Sequence, residues 1–119
     1  MMQGYKWFVR SQGSLMSPFI KTGIKCGVWN RAKYRYMAGC GNILGAQNKF
    51  GFFVFSDKKD ALNYFECAKQ YLLNWYSFGD LVLVKVKCAG LVLDKPMIFS
   101  ESGKSVFRCM LVNRIKVED

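Results

Sequence analysis

The sequence predicts an α+β fold: a single domain in which a curved, mostly antiparallel sheet of four to six strands carries one principal helix, about residues 57–75, on one face. Three observations carry this. Gly51–Phe55 and Leu81–Lys87 are short apolar runs rich in aromatic and β-branched residues, of the length expected for strands. Between them Ala61, Tyr64, Phe65, Ala68, Tyr71, Leu72 and Trp75 recur at three-and-four spacing, with Lys58, Asn63, Lys69 and Gln70 opposite, so the helix has an apolar stripe that must cover a sheet. Ser105–Val117 then reads as a long final strand, and the whole pattern fits within 119 residues, the length of one domain.

Taken in order, Tyr5–Arg10 alternates Lys6, Phe8 and Arg10 with Tyr5, Trp7 and Val9, which predicts a half-buried strand. Ser11–Ser14 has turn chemistry, and Pro18 holds Ser17 extended at an edge or loop. Residues 21–47 are punctuated by Gly23, Gly27, Gly39, Gly41 and Gly45, and only Lys33–Met37 alternates, placing Lys33 and Arg35 opposite Tyr34 and Tyr36. A long irregular segment in a compact domain is usually functional or disordered, and Trp29, Tyr34 and Tyr36 argue for function. Ser56 is the expected N-cap of the helix, with Asp57 and Asp60 favoured by the dipole of its first turn. Turns follow at Ser77–Asp80 and Asp94–Pro96 and a loop at Ser100–Gly103. In the last strand Phe107, Cys109, Leu111, Ile115 and Val117 are expected on the inner face and Arg108, Met110, Val112, Arg114 and Lys116 on the outer.

Charge is the most informative feature. The net charge is +10, and every one of the eight acids lies after residue 56, whereas Lys6, Arg10, Lys21, Lys25, Arg31, Lys33, Arg35 and Lys49 precede it. An N-terminal half without carboxylates offers a one-signed field to a polyanion or an acidic protein surface, unless folding scatters its cations. Lys25, Arg31, Lys33, Arg35 and Lys49, interleaved with Trp29, Tyr34 and Tyr36 and joined by Arg108, Arg114 and Lys116, therefore form the candidate nucleic-acid-binding set. Cations supply salt-sensitive phosphate contacts, and aromatic rings supply stacking faces.

Other chemistries have less support. Without histidine the chain lacks the commonest general base and metal ligand, so neither metal nor cofactor is expected. Cys26, Cys40, Cys67, Cys88 and Cys109 are odd in number and form no CxxC pair, which predicts free, mostly buried thiols in a reducing cytoplasm. Cys40, between Gly39 and Gly41, is the single candidate nucleophile, although a small residue in a tight turn is the simpler explanation. Gly103-Lys104-Ser105 imitates the end of a P-loop, but Ile98 stands where a glycine is needed and a strand follows where a helix is required. No segment has the makings of a signal peptide or a membrane span, so a cytoplasmic protein is expected, with no membrane partner.

Tyr5-Lys6-Trp7-Phe8, Ser17-Pro18-Phe19, Gly51–Phe55 followed by Asp60–Phe65, and Leu83–Val86 with Gly90 resemble a family of small uncharacterised proteins of bacteriophages and bacteria. In that family a Gly-Phe-x-x-Phe strand precedes an Asp-Ala-x-x-Tyr helix and a valine-rich strand. The resemblance implies a compact α+β domain encoded by a phage or mobile element, and brings no activity with it. The leading expectation is thus a small non-enzymatic basic protein that contacts nucleic acid or a nucleoprotein complex. A protein-interaction module that inhibits a host or defence protein is the alternative. Glu101, between Ser100 and Ser102, also leaves open an ADP-ribosyltransferase-like enzyme, whose fold places a catalytic glutamate at a strand edge.

Overall fold

A computed structural model describes residues 2–16, 23–33, 42–43, 45–46, 49–72, 79–99 and 105–118. Along the chain run β1 (Met2–Ser11), β2 (Ser14–Met16), β3 (Gly23–Ile24), β4 (Trp29–Arg31), β5 (Asn42–Ile43), β6 (Phe52–Phe55), α1 (Lys58–Leu72), β7 (Asp80–Leu93), β8 (Met97–Phe99), β9 (Ser105–Phe107) and β10 (Cys109–Lys116). Every described pairing is antiparallel. With one helix on this sheet the molecule is an α+β domain, and its radius of gyration of 13.1 Å matches the roughly 13.5 Å expected of a compact chain this long.

The expected four to six strands are corrected to a seven-stranded sheet and a separate three-stranded one. The difference comes from strands of two or three residues, β3, β4 and β5, inside the stretch read as irregular. In the larger sheet β1 pairs with β6 and β7, and β10 also pairs with β6 and β7. The four strands therefore close into a ring, extended by β2 and β3 beyond β1 and by β4 beside β10.

Closure gives both faces of the ring strands something to cover. Phe8, Val54, Val86, Cys88, Met110, Val112 and Ile115 form one core, with Leu15 and Ile24. Trp7, Phe53, Phe55, Cys109 and Leu111 face the opposite way, into a second core shared with Ala61, Tyr64 and Ala68 of α1 and with Ile43, Met97 and Phe107 of the small sheet. Phe53, Phe55, Tyr64 and Phe107 meet mostly edge to face in this second core, with Tyr64 and Phe107 centroids 5.7 Å apart. The Trp7 indole N–H donates to the Ala61 carbonyl at 2.9 Å, which fastens the first turns of α1 to β1.

Two expectations about faces change accordingly. Lys6 is not on a wet face of β1: it is 1% exposed, donates from Nζ to the Phe53 carbonyl at 3.1 Å and lies 4.0 Å from the Phe53 ring centroid. Along Phe107–Val117, which is divided between the end of β9 and β10 rather than forming one strand, the apolar side chains switch faces, because Phe107, Cys109 and Leu111 join the helix-side core whereas Met110, Val112, Ile115 and Val117 join the other. The switch coincides with a shift of the β10–β7 register between Leu111 and Val112.

The helix also starts one residue later than expected. Asp57 caps it: its carbonyl accepts the Ala61 N–H and its carboxylate accepts the Lys59 N–H at 2.9 Å, geometry that replaces the expected Ser56 cap. Asp60, in the first turn, accepts the Arg108 backbone N–H at 2.9 Å and so ties the helix start to the strand junction before β10. The last expected helical residues, 73–75, and the expected turn at residues 77 and 78 lie outside the described residues.

Candidate nucleic-acid interface

The site is built on the connection between β3 and β4. Asn30 clamps it: Nδ2 donates to the Lys25 carbonyl at 2.9 Å and the Val28 carbonyl at 3.0 Å, and Oδ1 accepts the Lys25 N–H at 3.0 Å. Gly27, at φ +80°, donates its N–H to the Val117 carbonyl and joins the turn to the end of β10. An L side chain is strained at that φ, so glycine is what the turn needs. Lys25 is thus held on a fixed backbone with its side chain exposed.

Register then decides which side chains meet. Arg31 pairs with Arg114 and Trp29 with Lys116, and residues directly opposite in an antiparallel pair point to the same side. Trp29, Arg31, Arg114 and Lys116 therefore share one face, opposite to Ile115 in the core. The Arg114 guanidinium carbon lies 5.9 Å from the centre of the Trp29 ring, a cation–π contact across the diagonal of the ladder. Trp29 remains 40% exposed.

Beside this face a cavity of about 300 Å³ opens between β3 and β4, lined by Lys25, Trp29, Asn30, Arg31, Lys33 and Val28 with Phe52 and the β3 residues. None of its described lining residues is a carboxylate. On the other side of β10 the same face continues: Lys116 pairs with Lys87, and Lys87 and Lys85 pair with Gln3 and Tyr5 of β1. A second cavity of about 270 Å³ lies there, lined by Gln3, Lys85, Val86, Lys87, Lys116 and Glu118. Glu118 pairs with Lys87, whose hydrogen bond and charge hold its carboxyl below the ordinary glutamate range.

Of the sequence-derived set, Lys25, Trp29, Arg31 and Lys33 line one cavity, and Arg114 and Lys116 flank it. Lys49 is exposed on a turn closed by its N–H to the Ala46 carbonyl and lines neither cavity. Arg108 sits at the other end of β10, beside Asp60. Tyr34, Arg35 and Tyr36 lie outside the described residues, as do Cys40 and Glu101. Lys85 and Lys87 are additions, and their signal was the alternation of Val84, Lys85, Val86 and Lys87, which puts both lysines on one face.

Among the described residues no group of His, Cys, Asp or Glu could hold a metal ion, and no helix is long and apolar enough to cross a membrane. Cys88 and Cys109 are buried thiols, whereas Cys26, in the β3–β4 turn, is exposed, an exception to the burial expected of most of the cysteines. No family model, no curated protein and no solved structure matches the chain. The chemistry of the cationic face is what points to a ligand.

Proposed function

We propose that the protein is a small non-enzymatic binding protein that holds single-stranded nucleic acid, free or within a nucleoprotein complex, on the face of β4 and β10. The observation that carries this reading is the company of Trp29. An exposed indole sits under Arg114, beside a cavity ringed by Lys25, Arg31 and Lys33, with no carboxylate among its described lining residues. A base can stack on the indole while the cations take its flanking phosphates.

The cross-strand arrangement points the same way. Arg31 faces Arg114 across the β4–β10 ladder, and like charges directly opposite destabilise such a pair. A bound polyanion relieves that repulsion. An acidic protein would also satisfy the cations, but it makes less use of a stacking ring, and a phage or mobile-element protein that handles nucleic acid fits both features.

Binding of a fluorescently labelled oligothymidylate tests this reading. Trp29→Ala should weaken it by about 1–3 kcal/mol, roughly five- to a hundredfold. Arg31→Glu with Lys33→Glu should abolish it with the melting temperature unchanged, since both side chains are exposed. Capture of one nuclease-resistant acidic protein, with no affinity for oligonucleotides, would replace nucleic acid by a protein partner.

A further inference from the structure

We infer that the cavity framed by Gln3, Lys85, Lys87 and Lys116 is a second phosphate site on the same nucleic-acid track, and that the Glu118 carboxylate occupies it until a phosphate displaces it. This rests on the reading of the Trp29 face as a nucleic-acid site. The two cavities are not separate surfaces, because Lys116 lines the second and pairs in register with Trp29 of the first. From Trp29 through Lys116 to Lys87 the track crosses two strand spacings, about 10 Å.

Glu118 is placed to act as an internal competitor. It is the only carboxylate among the described residues lining the second cavity, and there it meets lysines on β7 and β10. Val117 before it is buried, and its carbonyl is held by the Gly27 N–H, so the backbone is anchored while the Glu118 side chain is more than half exposed. Only side-chain rotation is needed to vacate the site. A carboxylate carries two anionic oxygens much as a phosphodiester does, and exchanging one for the other keeps Lys87 paired.

Glu118→Gln removes the competitor without changing the shape of the side chain, and should tighten binding of a labelled oligothymidylate at low salt about two- to fivefold. Lys85→Gln with Lys87→Gln should weaken binding and make it less steeply dependent on salt, by about 0.7 in the logarithmic slope for each phosphate no longer neutralised. Far-UV circular dichroism and melting temperature show whether each variant is folded. If the wild type binds and depends on Arg31 and Lys33, yet Glu118→Gln and the Lys85/Lys87 variant both behave as wild type, the second site is overturned and the first stands. If the wild type binds no oligonucleotide at any salt, both fall together.

Discussion

Lys6 shows what closing the ring does to a single residue. Its ammonium lies 4.0–6.0 Å from the centres of the Phe8, Phe52 and Phe53 rings and donates to the Phe53 carbonyl. Lys6→Ala would empty a slot between aromatic rings and leave that carbonyl without this donor, at a cost of about 2–5 kcal/mol. Lys6→Met refills the slot with an unbranched chain and removes the desolvated charge, so it should cost less; urea unfolding of the two variants measures the difference. Nearby, burial pushes the Cys88 thiol up to about 11, against the opposing pull of the Lys6 charge. Since its folded pKa is raised, the stability this thiol contributes is complete below the ordinary value of 9.0 and is lost as pH rises toward 11. At pH 8 Cys88 should therefore resist iodoacetamide until the protein unfolds, while exposed Cys26 reacts; peptide mass mapping distinguishes the two. Gly90 is a third special position: its φ is +71°, and a Cβ there would lie 1.8 Å from Asn113 Oδ1, a buried acceptor with no hydrogen-bond partner among the described residues. Gly90→Ala should destabilise by more than the 1–2 kcal/mol or so of the left-handed backbone alone, and Asn113→Ala should recover part of the loss.

Among the elements, β7 is the one whose shape decides the fold. Fourteen residues make thirteen steps of about 3.3 Å, roughly 43 Å if straight, more than the 37 Å extent along the molecule's longest principal axis. Gly90, with its positive φ, and the register shift opposite Leu111 and Val112 mark where the strand departs from a straight ladder. Helix α1 was legible in the sequence because its stripe is long and its acids cluster at one end; Ala61, Tyr64 and Ala68 are buried as that spacing requires. The cap was misplaced because Ser56 and Asp57 are both good caps, and the choice turns on where the strand β6 releases the backbone. Asp57→Ala should therefore cost about 0.5–2 kcal/mol in thermal or urea unfolding, and Ser56→Ala much less. Strands β3, β4 and β5 were not legible, since two or three residues cannot establish alternation. The face switch in β10 was hidden for a different reason. It depends on the partner strand, which has an extra residue between Leu91 and Leu93 opposite the irregularity, and no periodicity within Cys109–Lys116 records it.

At the scale of the whole molecule, charge segregation along the chain turned into a different segregation in space. Lys6 was removed into the core, Arg10 faces Asp80 across β1 and β7, and Lys49 stands apart. Lys25, Arg31 and Lys33 instead line a cavity beside the strand that carries Arg114 and Lys116, and Lys116 in turn lines a second cavity with Lys85 and Lys87; these four come from the acid-containing half. Composition could show that cations lacked local partners, but only register could show which of them share a face. That face makes salt the decisive variable, because each phosphate neutralised on a single strand adds about −0.7 to the logarithmic slope of affinity against salt. The most direct measurement is fluorescence anisotropy of a labelled oligothymidylate, titrated with the protein and with Arg31→Glu/Lys33→Glu between about 50 and 200 mM salt. A slope of roughly −2 to −3.5, reflecting about three to five neutralised phosphates and abolished in the variant, is the expected result. An affinity that does not change with salt, or one the variant retains in full, would contradict the assignment of this face to nucleic acid.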